Sequence, residues 1–264
     1  MTSELADYCR RVGYGGPLAP DLATLRALCL AHITHIPFEN SRIHLGGGFG
    51  TSGPDAWDRI VNRGLGGWCY EMNAVFGTVL ELLGLPVTRH ACGVMRAEGS
   101  AAGMGGHLAL TTVCEGQRWL VDVGFGSKLA GPLPLQPCRR RDPPVDVGLS
   151  QAADGYWRYT EQGPREDPFW FDFRDAPADE AQLDERCAWQ ATDPASKFVQ
   201  TLTFQIRLAD SHAALRGRNL TITRADAVEK RTIDGREEWI ATVRDVFRSP
   251  VDAAVLWDRL AQAA

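Results

Sequence analysis

Residues 63–73 read RGLGGWCYEMN, a glycine turn that leads into a helix. From Cys69 to Leu83 apolar side chains recur at steps of three and one, which predicts an amphipathic helix. Gly84 and Pro86 predict its end. Cys69 is therefore predicted to be the first residue of a helix. At a helix N-terminus, backbone N–H groups lower the pKa of a thiol and favour the nucleophilic thiolate. The alternative is a buried structural cysteine beside a Gly-Gly turn.

Around this segment the chain changes from helices to strands and then to a mixture. Helices are predicted at residues 5–12, from Asp21 to Pro37, at 57–61 and at 251–262. Strands are predicted at 87–94, 107–114, 118–123, 156–160, 169–173, 198–208, within 215–223 and at 239–242. The Pro-rich stretch 132–144, which contains three consecutive arginines at 139–141, is predicted to be a solvated surface loop. This order predicts an α+β protein with three segments.

Composition narrows the function classes. The chain has 264 residues, 44% of them hydrophobic, and a net charge of -5, which fits a globular protein and argues against nucleic-acid binding. The sequence has no run of 18 apolar residues and its N-terminus lacks a signal-peptide pattern, so a cytoplasmic protein without a membrane role is expected. The seven cysteines include no C-x-x-C pair, and no metal site is expected.

A reactive thiol needs a base, and His107 is the best candidate among six histidines. It opens a predicted strand after a glycine-rich loop. Asp122 lies near the end of the next strand, in an apolar run where an aspartate is costly to bury without a partner. A hairpin brings the start of one strand near the end of the other, so Asp122 is predicted to orient the His107 ring. A turn-capping role for Asp122 is the alternative.

These residues lie in segments that together resemble the arylamine N-acetyltransferases. The segment 66–73 resembles the family's Gly-Gly-aromatic-Cys-x-Glu/Gln-x-Asn motif. Four further stretches match the family in order: IPFEN at 36–40, GHL at 106–108, VDVGFG at 121–126 and LRGRNL at 215–220. The resemblance therefore runs over nearly the whole chain.

The resemblance implies a fold and a domain order. The family has an N-terminal helical bundle, a middle β-barrel and a C-terminal α/β lid around a cysteine-protease-like catalytic core. Applied to this chain, it implies a helical domain with the cysteine at 1–85, a barrel domain with the histidine and aspartate at 86–190, and a lid domain at 191–264.

The resemblance also implies a reaction. Cys69, His107 and Asp122 match the family's catalytic triad, which acts by a ping-pong mechanism through an acetyl-cysteine thioester. Acetyl-CoA would be a co-substrate, with no permanently bound cofactor, and a small arylamine or arylhydrazine would accept the acetyl group. Phe125 and Gly126, in the loop lining the pocket, and Phe38 are implied to contact substrate.

The sequence departs from the family pattern at two positions. Leu65 occupies the place of an arginine that commonly pairs with the glutamate corresponding to Glu39, and Arg63 is the predicted substitute. Gly106 stands where many relatives have a threonine near CoA.

Three alternatives remain open at this level. The first is an amide synthase that receives a polyketide acyl chain from an acyl carrier protein and closes a macrolactam. The second is a thiol hydrolase, since such a triad can also use water. The third is a binding module without activity.

Overall fold

The computed structural model describes residues 2–164 and 167–262 and has an α+β architecture, as predicted. Its helices are α1 (Ser3–Arg11), α2 (Leu22–His35), α3 (Ser41–His44), α4 (Gly53–Trp57), α5 (Cys69–Leu82), α6 (Glu180–Thr192), α7 (Lys197–Gln200), α8 (Arg236–Asp245) and α9 (Ala253–Gln262). A π-helical turn, Asp58–Asn62, follows α4. Within these residues, no helix combines the length and hydrophobicity needed to cross a membrane.

The strands form two antiparallel sheets. They are β1 (Phe38–Glu39), β2 (Val87–Val94), β3 (His107–Cys114), β4 (Gln117–Val121), β5 (Leu133–Pro134), β6 (Cys138–Asp142), β7 (Val145–Gln151), β8 (Trp157–Gln162), β9 (Phe169–Phe173), β10 (Thr203–Arg207), β11 (Ser211–Arg216), β12 (Asn219–Arg224) and β13 (Val228–Thr232). The larger sheet has the order β5-β4-β3-β2-β9-β8-β7-β6, and the smaller β1-β10-β11-β12-β13.

Helix α5 is the central helix of the N-terminal part. It begins at Cys69 as predicted, and residues 69–77 are buried without interruption. A helix covered on nearly all sides belongs to the core rather than to a surface. The amphipathic pattern therefore located the helix but not its full burial, which includes the polar side chains of Glu71 and Asn73.

The larger sheet curls into a nearly closed, barrel-like structure. Aromatic and aliphatic side chains of β7, β8 and β9 fill its interior. The two edge strands, β5 and β6, meet through Arg140, which donates to the carbonyl oxygens of Gly131 and Pro132 at 3.0 and 2.8 Å and to Asp142 at 2.8 Å. The prediction of a surface loop at 132–144 is therefore wrong. The stretch contains β5, with Leu133 buried, and β6, in which Arg139 and Arg141 are exposed and Arg140 contacts the opposite edge.

The C-terminal third differs from two further predictions. Residues 239–242 are predicted to form a strand but lie within α8. Trp239 and Val243 are one helical turn apart, so the helix places both side chains in the core, where they are fully buried. The strand predicted from residue 198 begins only at Thr203. Ser196 accepts a hydrogen bond from the Phe198 N–H and caps the short helix α7 ahead of it.

The core consists of three hydrophobic clusters, located in the helical part, inside the larger sheet and around the smaller sheet. Two elements join parts that are distant in sequence: β1 pairs with β10, and α6 packs into the helical cluster through Leu183, Cys187 and Ala191. The domain boundaries at residues 85/86 and 190/191 stay a prediction.

Candidate active site

The backbone before Cys69 follows a path that requires glycine. A Cβ atom on Gly66 would overlap the carbonyl oxygen of Pro37. On the other side of the turn, the Arg11 guanidinium donates to the carbonyls of Gly64 and Leu65 at 3.0 and 3.2 Å. The turn is thereby fixed between segment 37–39 and α1, which sets where α5 starts.

The hairpin register places His107 and Asp122 on the same face. Leu110 of β3 pairs with Val121, the last residue of β4, so Asp122, which follows, lies opposite Ala109 and diagonal to His107. The His107 Nε2 atom is 2.6 Å from Asp122 Oδ2, and both side chains are buried. The predicted contact between this imidazole and this carboxylate is therefore present. Because Nε2 faces the carboxylate, Nδ1 is the ring nitrogen left for another partner.

Asn73 ties this hairpin to the helix that carries Cys69. Its Nδ2 donates to Asp122 Oδ1 at 2.9 Å and to the Leu108 carbonyl at 2.6 Å, and its Oδ1 accepts from the Val123 N–H at 3.1 Å. Asp122 Oδ1 also accepts from the Gly124 N–H at 2.8 Å. Sequence reasoning did not identify this role of Asn73, although the residue stands in the segment that decided the fold.

Cys69 and His107 line the same cavity. Gly124, two residues after Asp122, packs on the cysteine backbone so closely that a Cβ there would lie 2.8 Å from Cys69 Cα. Burial raises the pKa of the Cys69 thiol above its ordinary value, while hydrogen bonds from the backbone N–H groups of Leu108 and Tyr70 lower it. Desolvation is the larger effect, so the expected lowering by backbone N–H groups is present but does not outweigh burial. A thiolate here needs a neighbour that takes up the proton.

The cavity has a volume of about 760 Å³ and an aromatic wall. Phe38, Phe125 and Gly126, the three residues predicted to contact substrate, all line it. The Phe125 ring lies 4.9 Å from the His107 ring and stacks on Phe169 at 5.1 Å with an interplanar angle of 12°. A flat aromatic molecule can stack on such a wall.

The same cavity is lined by charged side chains that sequence reasoning missed. The basic residues are Lys128, Arg186, Lys197 and Arg216, and the acidic ones are Glu161 and Asp167. The excess of positive charge favours an anionic ligand. These six residues lie in six different elements or loops, so no local pattern in the sequence could have grouped them.

Glu39 finds its partner in a different arginine from the predicted one. Arg63 is exposed, whereas Arg59 of the π-helical turn lies 3.8 Å from Glu39 and 3.2 Å from Glu71. Arg42 contacts Glu71 at 2.9 Å. The proposed substitution by Arg63 is therefore wrong, and the cluster Glu39–Arg59–Glu71–Arg42 is called the buried ion-pair cluster below.

The loop before His107 rests on α6, which explains the glycine at 106. The Gln190 side chain donates to the Gly106 carbonyl at 3.0 Å, and the Tyr70 hydroxyl donates to the Gly105 carbonyl at 2.6 Å. A Cβ on Gly106 would lie 2.9 Å from the Gly103 carbonyl oxygen. A side chain at 106 would therefore force the turn at residues 103–106 to change.

Comparison with known proteins gives a consistent result. A sequence model of the N-acetyltransferase family matches residues 21–256. The arylamine N-acetyltransferase of Mycolicibacterium smegmatis is 33% identical, over 100% of this chain and 97% of that protein. The solved structures of the M. tuberculosis arylamine N-acetyltransferase and of the Mycobacterium marinum enzyme in complex with CoA each superpose with a TM-score of 0.88 at 28% identity. They cover 97% and 98% of this chain, and the chain covers 99% and 98% of them. This chain therefore belongs to the arylamine N-acetyltransferase family.

Proposed function

We propose that the enzyme transfers an acetyl group from acetyl-CoA to a small aromatic amine or hydrazine through a thioester on Cys69. The observation that carries the proposal is that Cys69 and His107 share one cavity while Asp122 holds the Nε2 side of the imidazole. His107 Nδ1 is then the atom that accepts the thiol proton. Asp122 orients the ring and stabilises its charged form.

The first half-reaction acetylates the enzyme. His107 takes the proton from Cys69, and the sulfur attacks the carbonyl carbon of acetyl-CoA. The tetrahedral intermediate collapses as the bond to the CoA sulfur breaks, and the imidazolium returns the proton to the departing thiolate. Backbone N–H groups at the start of α5, including that of Cys69, are suited to hold the negative oxygen of the intermediate.

The second half-reaction transfers the acetyl group from Cys69 to the amine. The amine nitrogen attacks the acetyl carbon, His107 removes a proton from that nitrogen, and the Cys69 sulfur leaves and is reprotonated. In each half-reaction His107 first accepts a proton and then returns it, so a single histidine suffices.

The donor proposal rests on the charges of the cavity. Arg186 of α6 and Lys197 of α7 both line it, as do the aromatic residues Trp189 and Phe198. Guanidinium and ammonium groups bind phosphates well, and an aromatic side chain offers a surface for an adenine ring. The M. marinum relative was solved with CoA, which supports the same ligand class here.

Intact-mass spectrometry tests the proposal in two steps. The enzyme is mixed with acetyl-CoA without amine, and a mass increase of one acetyl group on Cys69 is expected. Addition of an aromatic amine then removes the acetyl group and yields the amide. Cys138→Ser, which alters a half-buried thiol outside the cavity lining, serves as the control and retains both steps.

Each alternative gives a different outcome in this experiment. Acylation from a carrier-protein thioester but not from acetyl-CoA would indicate an amide synthase. Loss of the acetyl group at the same rate without amine would indicate a hydrolase. Absence of any adduct on Cys69 would contradict the mechanism.

A further inference from the structure

A buried ion pair in the cavity takes no part in the mechanism above. The Lys128 Nζ atom lies 2.7 Å from Glu161 Oε1, with side-chain exposures of 18% and 3%. Both residues line the cavity that contains Cys69. The second carboxylate oxygen of Glu161 lies 3.5 Å from the Tyr159 hydroxyl.

Stability alone does not account for this pair. Removing two charges from water costs several kcal/mol per ion by rough estimate, and well-packed apolar residues would fill the same space equally well or better. The pair borders the aromatic wall formed by Phe125 and Phe169 and faces empty space. Such a position is suited to a polar group carried by a ligand that stacks on that wall.

The pair presents both a donor and an acceptor. An ammonium has three N–H donors, of which Glu161 takes one, and a carboxylate has several lone pairs, of which Lys128 takes one. The pair as a whole is neutral. A neutral ligand group with a carbonyl oxygen and an N–H satisfies both sides at once, whereas an anionic group gains Lys128 but meets the like charge of Glu161.

We propose that Lys128 and Glu161 form a subsite that selects aromatic amines carrying a primary carboxamide over those carrying a carboxylate at the same ring position. The carboxamide oxygen accepts from the Lys128 ammonium and its N–H donates to Glu161. This inference rests on the proposed function, because it concerns the acceptor used in the second half-reaction.

The other charges of the cavity do not override this selection. Arg216 and Asp167 are exposed, so water and salt screen them. Arg186 and Lys197 lie on α6 and α7 and are the groups proposed to bind the phosphates of the donor. Within the described cavity lining, Glu161 is the acidic side chain that is buried, and it acts at contact distance.

The test compares three acceptors that share one ring: 4-aminobenzamide, 4-aminobenzoate and 4-methylaniline. kcat/KM is measured for each with the wild type, Glu161→Gln and Lys128→Met. Since the intrinsic reactivity of each amine cancels when variants are compared, the change in the ratio between acceptors is the relevant quantity. Glu161→Gln is expected to raise the ratio of benzoate to benzamide by about tenfold, and Lys128→Met to lower both relative to 4-methylaniline by about tenfold.

The controls separate the subsite from folding and from the proposed function. Lys230→Met and Glu237→Gln make the same changes at exposed positions and should leave all ratios unchanged. Acetylation of Cys69 by acetyl-CoA is measured for every variant, and the double variant Lys128→Met/Glu161→Gln replaces Lys128→Met if that protein unfolds.

Two results would overturn the subsite. One is a set of acceptor ratios that stays constant across Glu161→Gln and Lys128→Met while Cys69 is acetylated normally. The other is a benzoate preference of the wild type that Glu161→Gln leaves unchanged. Failure of the wild type to form acetyl-Cys69 would instead count against the proposed function.

Discussion

Two residues of helix α5, Glu71 and Asn73, hold two polar networks of opposite character. Glu71 belongs to the buried ion-pair cluster, where it lies 3.2 Å from Arg59 and 2.9 Å from Arg42. Asn73 belongs to the network of Asp122 and His107, in which one carboxylate lies between an amide and an imidazole. Both networks are buried except for the half-buried Arg42, and Glu71 and Asn73 are only two residues apart in the sequence.

The two networks differ in whether one of their members also borders the cavity. In the ion-pair cluster the charges face one another, and its members are absent from the cavity lining. In the Asn73 network, Asp122 is saturated on one oxygen by Asn73 and Gly124, and its other oxygen holds His107, whose ring also borders the cavity. The ion-pair cluster therefore acts mainly on stability and, through Glu71, on the start of α5, whereas the Asn73 network positions the imidazole, and substitutions should separate these effects.

The largest effect is expected for Asp122→Asn. Its Oδ1 position accepts hydrogen bonds from Asn73 and Gly124, so the asparagine oxygen must stay there and its amide N–H must face His107 Nε2. The histidine is then forced into the tautomer with the proton on Nδ1, which cannot accept the thiol proton. Single-turnover acetylation of Cys69 should slow by about 10⁴-fold, while thermal unfolding changes little.

The matched change Asp146→Asn, at an exposed position of β7, should preserve the rate. A slowing of less than about tenfold in Asp122→Asn would remove the tautomer argument.

The next largest effect is expected in the ion-pair cluster. Arg59→Met leaves Glu71 with one arginine and Glu39 with none, so the free energy of unfolding should fall by about 3–5 kcal/mol. Burial already raises the pKa of Glu71 above its ordinary value, with Arg59 as the largest opposing charge. Without Arg59 this pKa rises further, and since protonation relieves the buried charge, the stability deficit should shrink as the pH falls.

Denaturant unfolding at several pH values measures both parts of this expectation. The double variant Arg59→Met/Glu71→Gln should recover part of the lost stability. A deficit that is constant with pH would show that the loss comes from packing instead of charge.

A third effect concerns the reactivity of the thiol. Burial raises the pKa of Cys69, so without a proton acceptor its thiolate should form only above the range of a free thiol, about pH 8.5. The wild type should react with iodoacetamide near pH 6.5, and His107→Gln should react about a hundredfold more slowly there. Rate against pH measures this, with His35→Gln as the control, and coincident curves for wild type and His107→Gln would exclude His107 as the base.

The sequence predicts the network of Asp122 and His107 better than the ion-pair cluster because its parts are local. The glycine turn, the helix start at Cys69 and the hairpin between His107 and Asp122 each depend on a short segment with a clear period. Their register then follows from the hairpin itself, so the contact of His107 with Asp122 could be predicted from about twenty residues of chain.

The remaining elements depend on partners that are distant in sequence. Residues 239–242 have the composition of a strand, but Trp239 is buried against the smaller sheet on a helix that starts after Gly235. The arginines at 139–141 look like a surface loop, yet Arg140 closes the larger sheet by binding carbonyls near β5. Lys128 and Glu161 come into contact only because the larger sheet curls.

The smallest effect is expected at Arg63, and it tests which arginine supports the turn before Cys69. Arg63 is exposed, and Arg59 occupies the position between Glu39 and Glu71. Arg63→Ala should therefore change the free energy of unfolding by less than about 0.5 kcal/mol and leave the rate of Cys69 acetylation unchanged. Arg59→Ala, measured side by side, should lower stability and also slow acetylation, because Glu71 accepts a hydrogen bond from the Trp68 N–H at 3.3 Å and thereby positions the start of α5. If both variants behaved alike, the ion-pair cluster would have no special connection to the cysteine.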